Sequence, residues 1–485
     1  MSGTISSILF RADASTTMGS GHVMRCLTLA EALSRRGHSC RLACTAETPR
    51  IVAALERAPV EVVTLPDTAW NDPAALSVLM PPDWLVVDHY GLDEAYERAL
   101  RGWAGRILVI DDLADRRHDC DLLLDQTPGR DAGRYTPLVP ASAMILAGPR
   151  HALLRPDFAR LRGSEPPARS GLLVSLGGTD PLDASGLVLD AIARSGLEVA
   201  VTVVMGRAAP HLESVRAKAA RLSPPATVEV DVADMAALMS RCDMAVGAAG
   251  TSALERCCLG LPTLLLVIAD NQREVAAGLE QAGAALSCPL DLASVTDGLR
   301  RLAGDADARR AMAERARALC DGLGAERLAD CLSLTLRPAT RADGEDLLIW
   351  RNDPVTRANS LDTAPVERET HFQWLDRTLA DPERLVLMAE RLGSKVGMVR
   401  FDLCRPGEWR VSIGVAPSER GRGLGRALLA FAIQRLERGC GPGLLTAEIR
   451  ETNSASRQVF AACGFCEADR ADGVLYFQRS GTRGS

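Results

Sequence analysis

His22 is the residue in this chain best placed by its neighbours to move a proton. It stands in Arg11-Ala-Asp13-Ala-Ser-Thr-Thr-Met-Gly19-Ser-Gly21-His22-Val-Met-Arg25. Residues 5–10 form an apolar run that reads as a buried strand, and 23–36 carry helical spacing that stops at Gly37. The order is therefore strand, small-residue loop, helix. N–H groups at such a helix start can face an anion. The helix dipole disfavours an imidazolium there and favours a neutral, proton-accepting ring. A glycine pair with a histidine at a helix start leaves the same trace without chemistry.

Two further stretches have the composition of phosphate sites. Gly250-Thr251-Ser252 follows an apolar run and opens a helix, with Glu255 one turn on. Glycine lets the backbone approach a phosphate, N–H groups and hydroxyls donate to it, and a carboxylate at 255 can accept both ribose hydroxyls. The same letters fit a capping motif with Ser252 as the cap. Gly177-Gly178-Thr179-Asp180 is another glycine turn after an apolar run. Arg420-Gly421-Arg422-Gly423-Leu424-Gly425 fits R-x-x-G-x-G, a turn whose free N–H groups suit a pyrophosphate. Cys463-Gly-Phe-Cys466 has metal-ligand spacing, but no second pair accompanies it and no metal is expected.

These positions need a scaffold, and the periodicity supplies one. Strand-like runs at 5–10, 41–45, 60–65, 84–88, 106–110 and 121–124 alternate with amphipathic helices. That pattern means a doubly wound parallel sheet, which binds ligands at the carboxyl ends of its strands. Gly163-Ser-Glu-Pro166-Pro167 is linker-like. The alternation restarts at 171–176, 199–205, 227–230, 244–246 and 262–268. After about 337 the runs become antiparallel: 385–391, 396–403 and 409–415, then a helix at 426–438, a strand at 444–449 and a helix at 455–463. Residues 480–485 read as a disordered tail.

The chain has 485 residues, a net charge of -6 and no long basic run, so nucleic acid and membrane partners are not expected. No signal peptide or membrane-length apolar run is evident, and the 14 cysteines are scattered, as in a reduced cytoplasmic protein. The chain is compatible with a monomer.

The motif set Arg11-Ala-Asp13 with Gly19-Ser-Gly21-His22-Val-Met-Arg25, Val87-Asp88-His-Tyr90-Gly-Leu, Ser175-Leu-Gly177-Gly178-Thr-Asp180, Gly250-Thr-Ser-Ala-Leu-Glu255 and Asn271-Gln272 resembles the UDP-sugar hydrolase family of pseudaminic acid biosynthesis. The resemblance implies a GT-B-like pair of Rossmann-like lobes, residues 1–162 and 168–335. It implies hydrolysis of UDP-2,4-diacetamido-2,4,6-trideoxy-β-L-altropyranose with inversion. His22 would activate water, with Asp13 orienting the imidazole or the sugar and Tyr90 binding the sugar. The UDP and substrate contacts would come from Gly19, Gly21, Gly177, Gly178, Gly250, Thr251, Ser252, Glu255, Asn271 and Gln272.

Residues 336–480 resemble the GNAT superfamily of acetyl-CoA-dependent N-acetyltransferases, an α+β fold. The carriers are the 420–425 turn, the preceding Ser412-Ile413-Gly414-Val415, the following Asn453 and Ser456, and Phe460-x-x-x-Gly464-Phe465. Trp350-Arg351-Asn352 and His371-Phe372 resemble the member that acetylates the 4-amino group of the same UDP-sugar. Implied contacts to acetyl-CoA are the pyrophosphate on Arg420, Gly421, Arg422, Gly423, Leu424 and Gly425, pantetheine along Ile413–Val415, and Asn453. Many relatives carry Tyr where this chain has Phe460, so the acid for the departing thiolate is unassigned. The two resemblances imply consecutive steps of one pathway, associated with flagellin glycosylation. Alternatives are a GT-B glycosyltransferase with an appended CoA-binding regulatory module, or the same reactions on an epimeric diamino sugar.

Overall fold

The structure, a computed structural model, describes residues 5–15, 18–164 and 169–480. Most of the expected linker, Thr16 and Thr17, and the tail beyond Ser480 lie outside them.

The first lobe is a parallel seven-stranded sheet. Its strands are β1 Ser7–Ala12, β2 Ser39–Thr45, β3 Glu61–Leu65, β4 Trp84–Asp88, β5 Arg106–Ile110, β6 Leu122–Asp125 and β7 Met144–Ala147. The order is β3-β2-β1-β4-β5-β6-β7. Chain direction across the sheet reverses between β1 and β4, and a crevice opens at the carboxyl ends there. β1 and β4 are buried along nearly their whole length because both faces are covered, with Arg11 and Asp88 as polar residues near their carboxyl ends. Helix α1, Gly21–Ser34, follows β1.

The second lobe is a six-stranded parallel sheet. It comprises β8 Leu172–Ser175, β9 Val201–Met205, β10 Thr227–Val230, β11 Met244–Ala248, β12 Thr263–Leu266 and β13 Leu286–Cys288. The order is β10-β9-β8-β11-β12-β13. Helix α2, Thr251–Leu259, follows β11, and helix α3, Arg273–Gln281, follows β12. The lobes exchange segments. Ala152, Leu154 and Phe158, before the linker, pack in the second lobe's core. Helix α4, Gly324–Leu332, returns to pack its apolar face with the first lobe.

Only Ser333 separates α4 from β14 Leu334–Pro338, the edge of a third, mixed sheet. Its other strands are β15 Arg384–Arg391, β16 Ser394–Arg405, β17 Glu408–Val415, β18 Leu444–Arg450, β19 Cys466–Ala471 and β20 Val474–Ser480. Strands β17 and β18 run parallel but pair only at Glu408–Leu444, Trp409–Leu445 and Arg410–Thr446. Beyond Arg410 they part, which leaves the β18-facing edge at Ile413–Val415 outside that ladder.

Helix α5, Leu424–Cys440, is buried on both sides. Its apolar residues share one core with the third sheet and with Leu122, Leu124, Met144 and Leu146 of the first lobe. Polar bonds fix its direction. Arg426 donates to the Ile145 carbonyl at 2.5 Å, Gln434 to those of Asp121 and Ser142 at 2.8 and 2.9 Å, and Arg438 reaches Asp121 at 2.5 Å. The helix thus runs antiparallel to β6 and β7. It covers them as a crossover helix would, although no α-helix of the first lobe separates those strands in sequence. Phe431 sits 5.6 Å from Trp84 and under the Arg106 guanidinium. Each such buried side chain contributes about 1.5–3 kcal/mol.

Candidate active sites

The crevice at the β1–β4 reversal holds an imidazole–carboxylate–guanidinium cluster. His22 lies in the first turn of α1, whose N-cap Ser20 makes no side-chain capping bond. Asp88 ends β4 and is fully buried. Its Oδ1 lies 2.6 Å from His22 Nδ1. Arg25, one turn beyond His22, grips both Asp88 oxygens at 2.6 Å and reaches Asp112 at 3.1 Å. Burial alone would raise the Asp88 carboxyl, but Arg25 and then His22 outweigh it and hold the group well below the usual range. An ionised carboxylate at 2.6 Å repels a ring lone pair, so Nδ1 carries the proton and donates. Nε2 is left as the basic nitrogen.

The carboxylate on the His22 ring is therefore Asp88 and not Asp13, to which the resemblance gives either the imidazole or the sugar. Asp13 Oδ2 accepts from Arg11 at 2.7 Å and Oδ1 from the Thr45 N–H at 2.7 Å, and His89 Nε2 lies 3.6 Å away. Asp13 braces the loop after β1 instead. Arg25 and Asp88 both stand in visible motifs. The pairing of β1 with β4, which brings them together, is not readable from spacing.

Tyr90 stands edge-on to His22, ring centroids 4.4 Å apart. Its hydroxyl accepts a hydrogen bond from Asn271 Nδ2 of the second lobe at 3.3 Å. Burial, with Asp112 nearby, pushes the phenol up to about 12. Here the lobes meet, and a Cβ on Gly21 would lie 3.9 Å from Thr251 Oγ1.

On the second lobe, α2 begins at Thr251 with Gly250 as an extended N-cap that makes no side-chain capping bond. Ser252 is thus not the cap, and among the described residues no side chain caps the first N–H groups. Ser252 Oγ accepts from Arg256 Nη1 at 3.2 Å, and Arg256 also donates to the Ala248 carbonyl at 2.7 Å. Burial pushes that guanidinium down to about 10. Gly247 leaves the room it fills. Glu255 meets Arg155 at 3.4 Å, and burial raises its carboxyl although Arg155 and Arg256 pull it down. Gln272 Oε1 accepts from the Ile268 N–H at 3.1 Å, which shapes the loop after β12. Gly177 (φ +98°) and Gly178 form the turn after β8, where the Gly178 carbonyl accepts from the Gly206 N–H at 2.8 Å. Gly19, at φ +78°, turns the loop after β1.

In the third unit, Gly421 and Gly423 have φ of +78° and +77°, and a Cβ on either would meet open space. Arg422 pairs with Glu419 at 3.4 Å. The turn ends at Leu424, where α5 begins. Arg420 is bound to Asp353 at 2.8 Å and to Thr356, so its side chain braces the turn. Gly425 has a packing role: a Cβ there would press on Val459 Cγ2 at 3.3 Å. Asn453 Oδ1 accepts from the Ser456 N–H at 3.1 Å and caps the helix Ser454–Ala462. Phe460 is core, edge-on to Phe465 at 5.0 Å. Gly464 turns at φ +83°, so Cys463-Gly-Phe-Cys466 is a fold element. Asn352 bridges both backbone groups of Val366, and His371 Nε2 donates to the Gly344 carbonyl at 2.9 Å.

Residues 348–465 match the acetyltransferase (GNAT) family model. The C-terminal unit is a GNAT domain. The N-terminal region is similar to the UDP-2,4-diacetamido-2,4,6-trideoxy-beta-L-altropyranose hydrolase of Campylobacter jejuni, 24% identical over 277 residues, which cover 57% of this chain and 97% of that protein. An uncharacterised protein of Methanocaldococcus jannaschii is 21% identical over 466 residues, 93% of this chain and 95% of its own. Among solved structures, Acinetobacter baumannii MurG superposes on 67% of this chain and 99% of its own, with TM-score 0.50 and 16% identity. At that identity the likeness speaks for the two-lobed GT-B-like fold alone. No helix among the described residues is long and apolar enough to cross a membrane.

Proposed function

We propose that the two-lobed region hydrolyses a UDP-sugar and that the GNAT domain acetylates an amine of the same sugar beforehand with acetyl-CoA. The observation that carries the hydrolase reading is the Asp88-held His22 facing, across the cleft, the uncapped start of α2. UDP would lie on the second lobe, its diphosphate at Gly250, Thr251 and Ser252 and its ribose at Glu255. Water between His22 and the anomeric carbon would lose a proton to Nε2 as the carbon–oxygen bond to UDP breaks, with inversion. N–H groups of α2 would stabilise the charge on the departing diphosphate.

In the GNAT domain, pyrophosphate would sit on the free N–H groups of 421–424, and pantetheine would pair with Ile413–Val415 where β18 has parted from β17. The similarity to the Campylobacter hydrolase supports UDP-2,4-diacetamido-2,4,6-trideoxy-β-L-altropyranose as the hydrolysed compound; its 4-amino precursor would then be the acetyl acceptor.

The test gives the protein the 4-amino UDP-sugar with and without acetyl-CoA and follows products by NMR. UDP release from the diacetylated compound with no acceptor present is expected. Its absence would overturn hydrolysis in favour of glycosyl transfer. His22→Asn should lower UDP release by roughly 10²–10⁴-fold and spare acetylation; equal hydrolysis would remove His22 from the reaction. CoA binding without acetyl transfer would reduce the GNAT domain to a binding module.

A further inference from the structure

We propose that Asp88 and Arg25 are positioning residues for this hydrolysis, fixing which nitrogen of His22 takes the proton and holding it there. The inference rests on the hydrolase reading. Asp88 Oδ1 has two partners, His22 Nδ1 and Arg25 Nη2, and Oδ2 accepts from Arg25 Nε, with Cys26 Sγ at 3.6 Å. The carboxylate is thus saturated and fully buried, and it cannot rotate away from the ring without abandoning the guanidinium. Arg25 Nη2 also lies 3.2 Å from Nδ1. Nδ1 already carries the hydrogen directed at Asp88 and has no lone pair to offer Nη2, so that approach is crowding, and it penalises any lateral swing of the imidazole.

Charge balance gives the cluster its direction. Asp88 and Asp112 against Arg25 leave one uncompensated negative charge beside His22. In the chemical step a water O–H bond breaks and its proton goes to Nε2. The oxygen forms the bond to the anomeric carbon, and the electron pair of the breaking carbon–oxygen bond leaves on UDP. The imidazolium that results neutralises the cluster. Arg25, paired through both carboxylate oxygens, opposes passage of the Nδ1 proton to Asp88. The proton stays on the ring until solvent removes it.

The test is Asp88→Asn in the full chain. The amide can donate to Nδ1 and so select the tautomer with Nε2 protonated, which cannot accept. We expect kcat for UDP release to fall roughly 10³–10⁴-fold, with KM within about twofold because the nucleotide contacts lie on the other lobe. Residual activity should show its pH midpoint at lower pH, since a neighbouring anion is gone. Acetyl transfer by the same polypeptide serves as the folding control. Asp88→Asn with kcat within about threefold of wild type and an unmoved pH profile would overturn the proposal. Should Asp88→Asn lose acetyl transfer as well, Arg25→Lys decides. It keeps the charge and loses the fork, and an unchanged kcat and pH profile there would likewise overturn it. Wild-type protein that releases no UDP would sink the hydrolase reading itself, a distinct outcome.

Discussion

Asn271 of the second lobe donates a hydrogen bond to the Tyr90 hydroxyl of the first at 3.3 Å, and the same ring stands edge-on to His22. A contact between lobes therefore ends on the proposed base. Tyr90→Phe keeps the ring and deletes the acceptor. A hydrogen bond of about 1 kcal/mol corresponds to a rise in KM for the UDP-sugar of roughly fivefold, with a smaller change in kcat. Asn271→Ala should do the same, and the double variant should cost no more than either single one. Steady-state UDP release measures all three; additive losses would show that the residues act separately.

Gly278 on α3 faces Pro128 so closely that a Cβ would overlap the Pro128 carbonyl oxygen. On either side Glu274 pairs with Arg130 at 2.6 Å and Arg134 at 3.0 Å. Gly278→Ala should pry the lobes apart at this seam. UDP release should fall at least about tenfold, equivalent to ~1.4 kcal/mol, while acetyl transfer is retained. Small-angle scattering would report the wider cleft.

Gly421→Val and Gly425→Ala should separate cofactor binding from packing. Valine at φ +78° strains the turn and blocks backbone approach to a phosphate. The KM for acetyl-CoA should rise roughly tenfold or more with UDP release unaffected. Gly425→Ala instead presses on Val459. It should lower Tm by a few degrees, as about 1 kcal/mol does, and leave that KM nearly unchanged.

Stability should fall as the solution is acidified. Burial, then Arg327, Arg426 and Arg150, pushes His151 down to about 4. Burial and Arg11 also lower His89. Unfolded histidine titrates near 6.5. Between about 6.5 and 4 the unfolded chain binds more protons than the folded one, so folding weakens with falling pH. Asp13 and Asp88, held low, add a further loss as pH falls through the ordinary carboxylate range and below it. Melting curves from about pH 7.5 to 4.5 should slope down through this window, and His151→Gln should reduce the slope. A flat profile would contradict the assignment.

Much of the scaffold was legible because buried parallel strands are continuous apolar runs. Of the strands not expected, β20 alternates buried Leu475 and Phe477 with exposed neighbours and was legible in principle; the other three carry little signal. β13 has three residues, β7 only Met-Ile-Leu-Ala, and β19 is polar and exposed along its length. His22 was legible from its loop, and Gly250-Thr251-Ser252 from theirs. The partner of His22 was not, since Asp13 is near in sequence and Asp88 is near only through strand order. Gly425 and Asn453 matched a binding motif, yet their side-chain positions serve helix packing and capping. No local pattern could report that α5 would cover β6 and β7, because the apolar stripe of a helix does not name its partner.

That covering helix ties the lifetimes of the two activities together. Opening the third sheet strips β6 and β7, and loss of the first lobe strips α5. Heat or a core substitution on either side would therefore silence both active sites at once. A genetic screen would score such a lesion as a double loss from a single change.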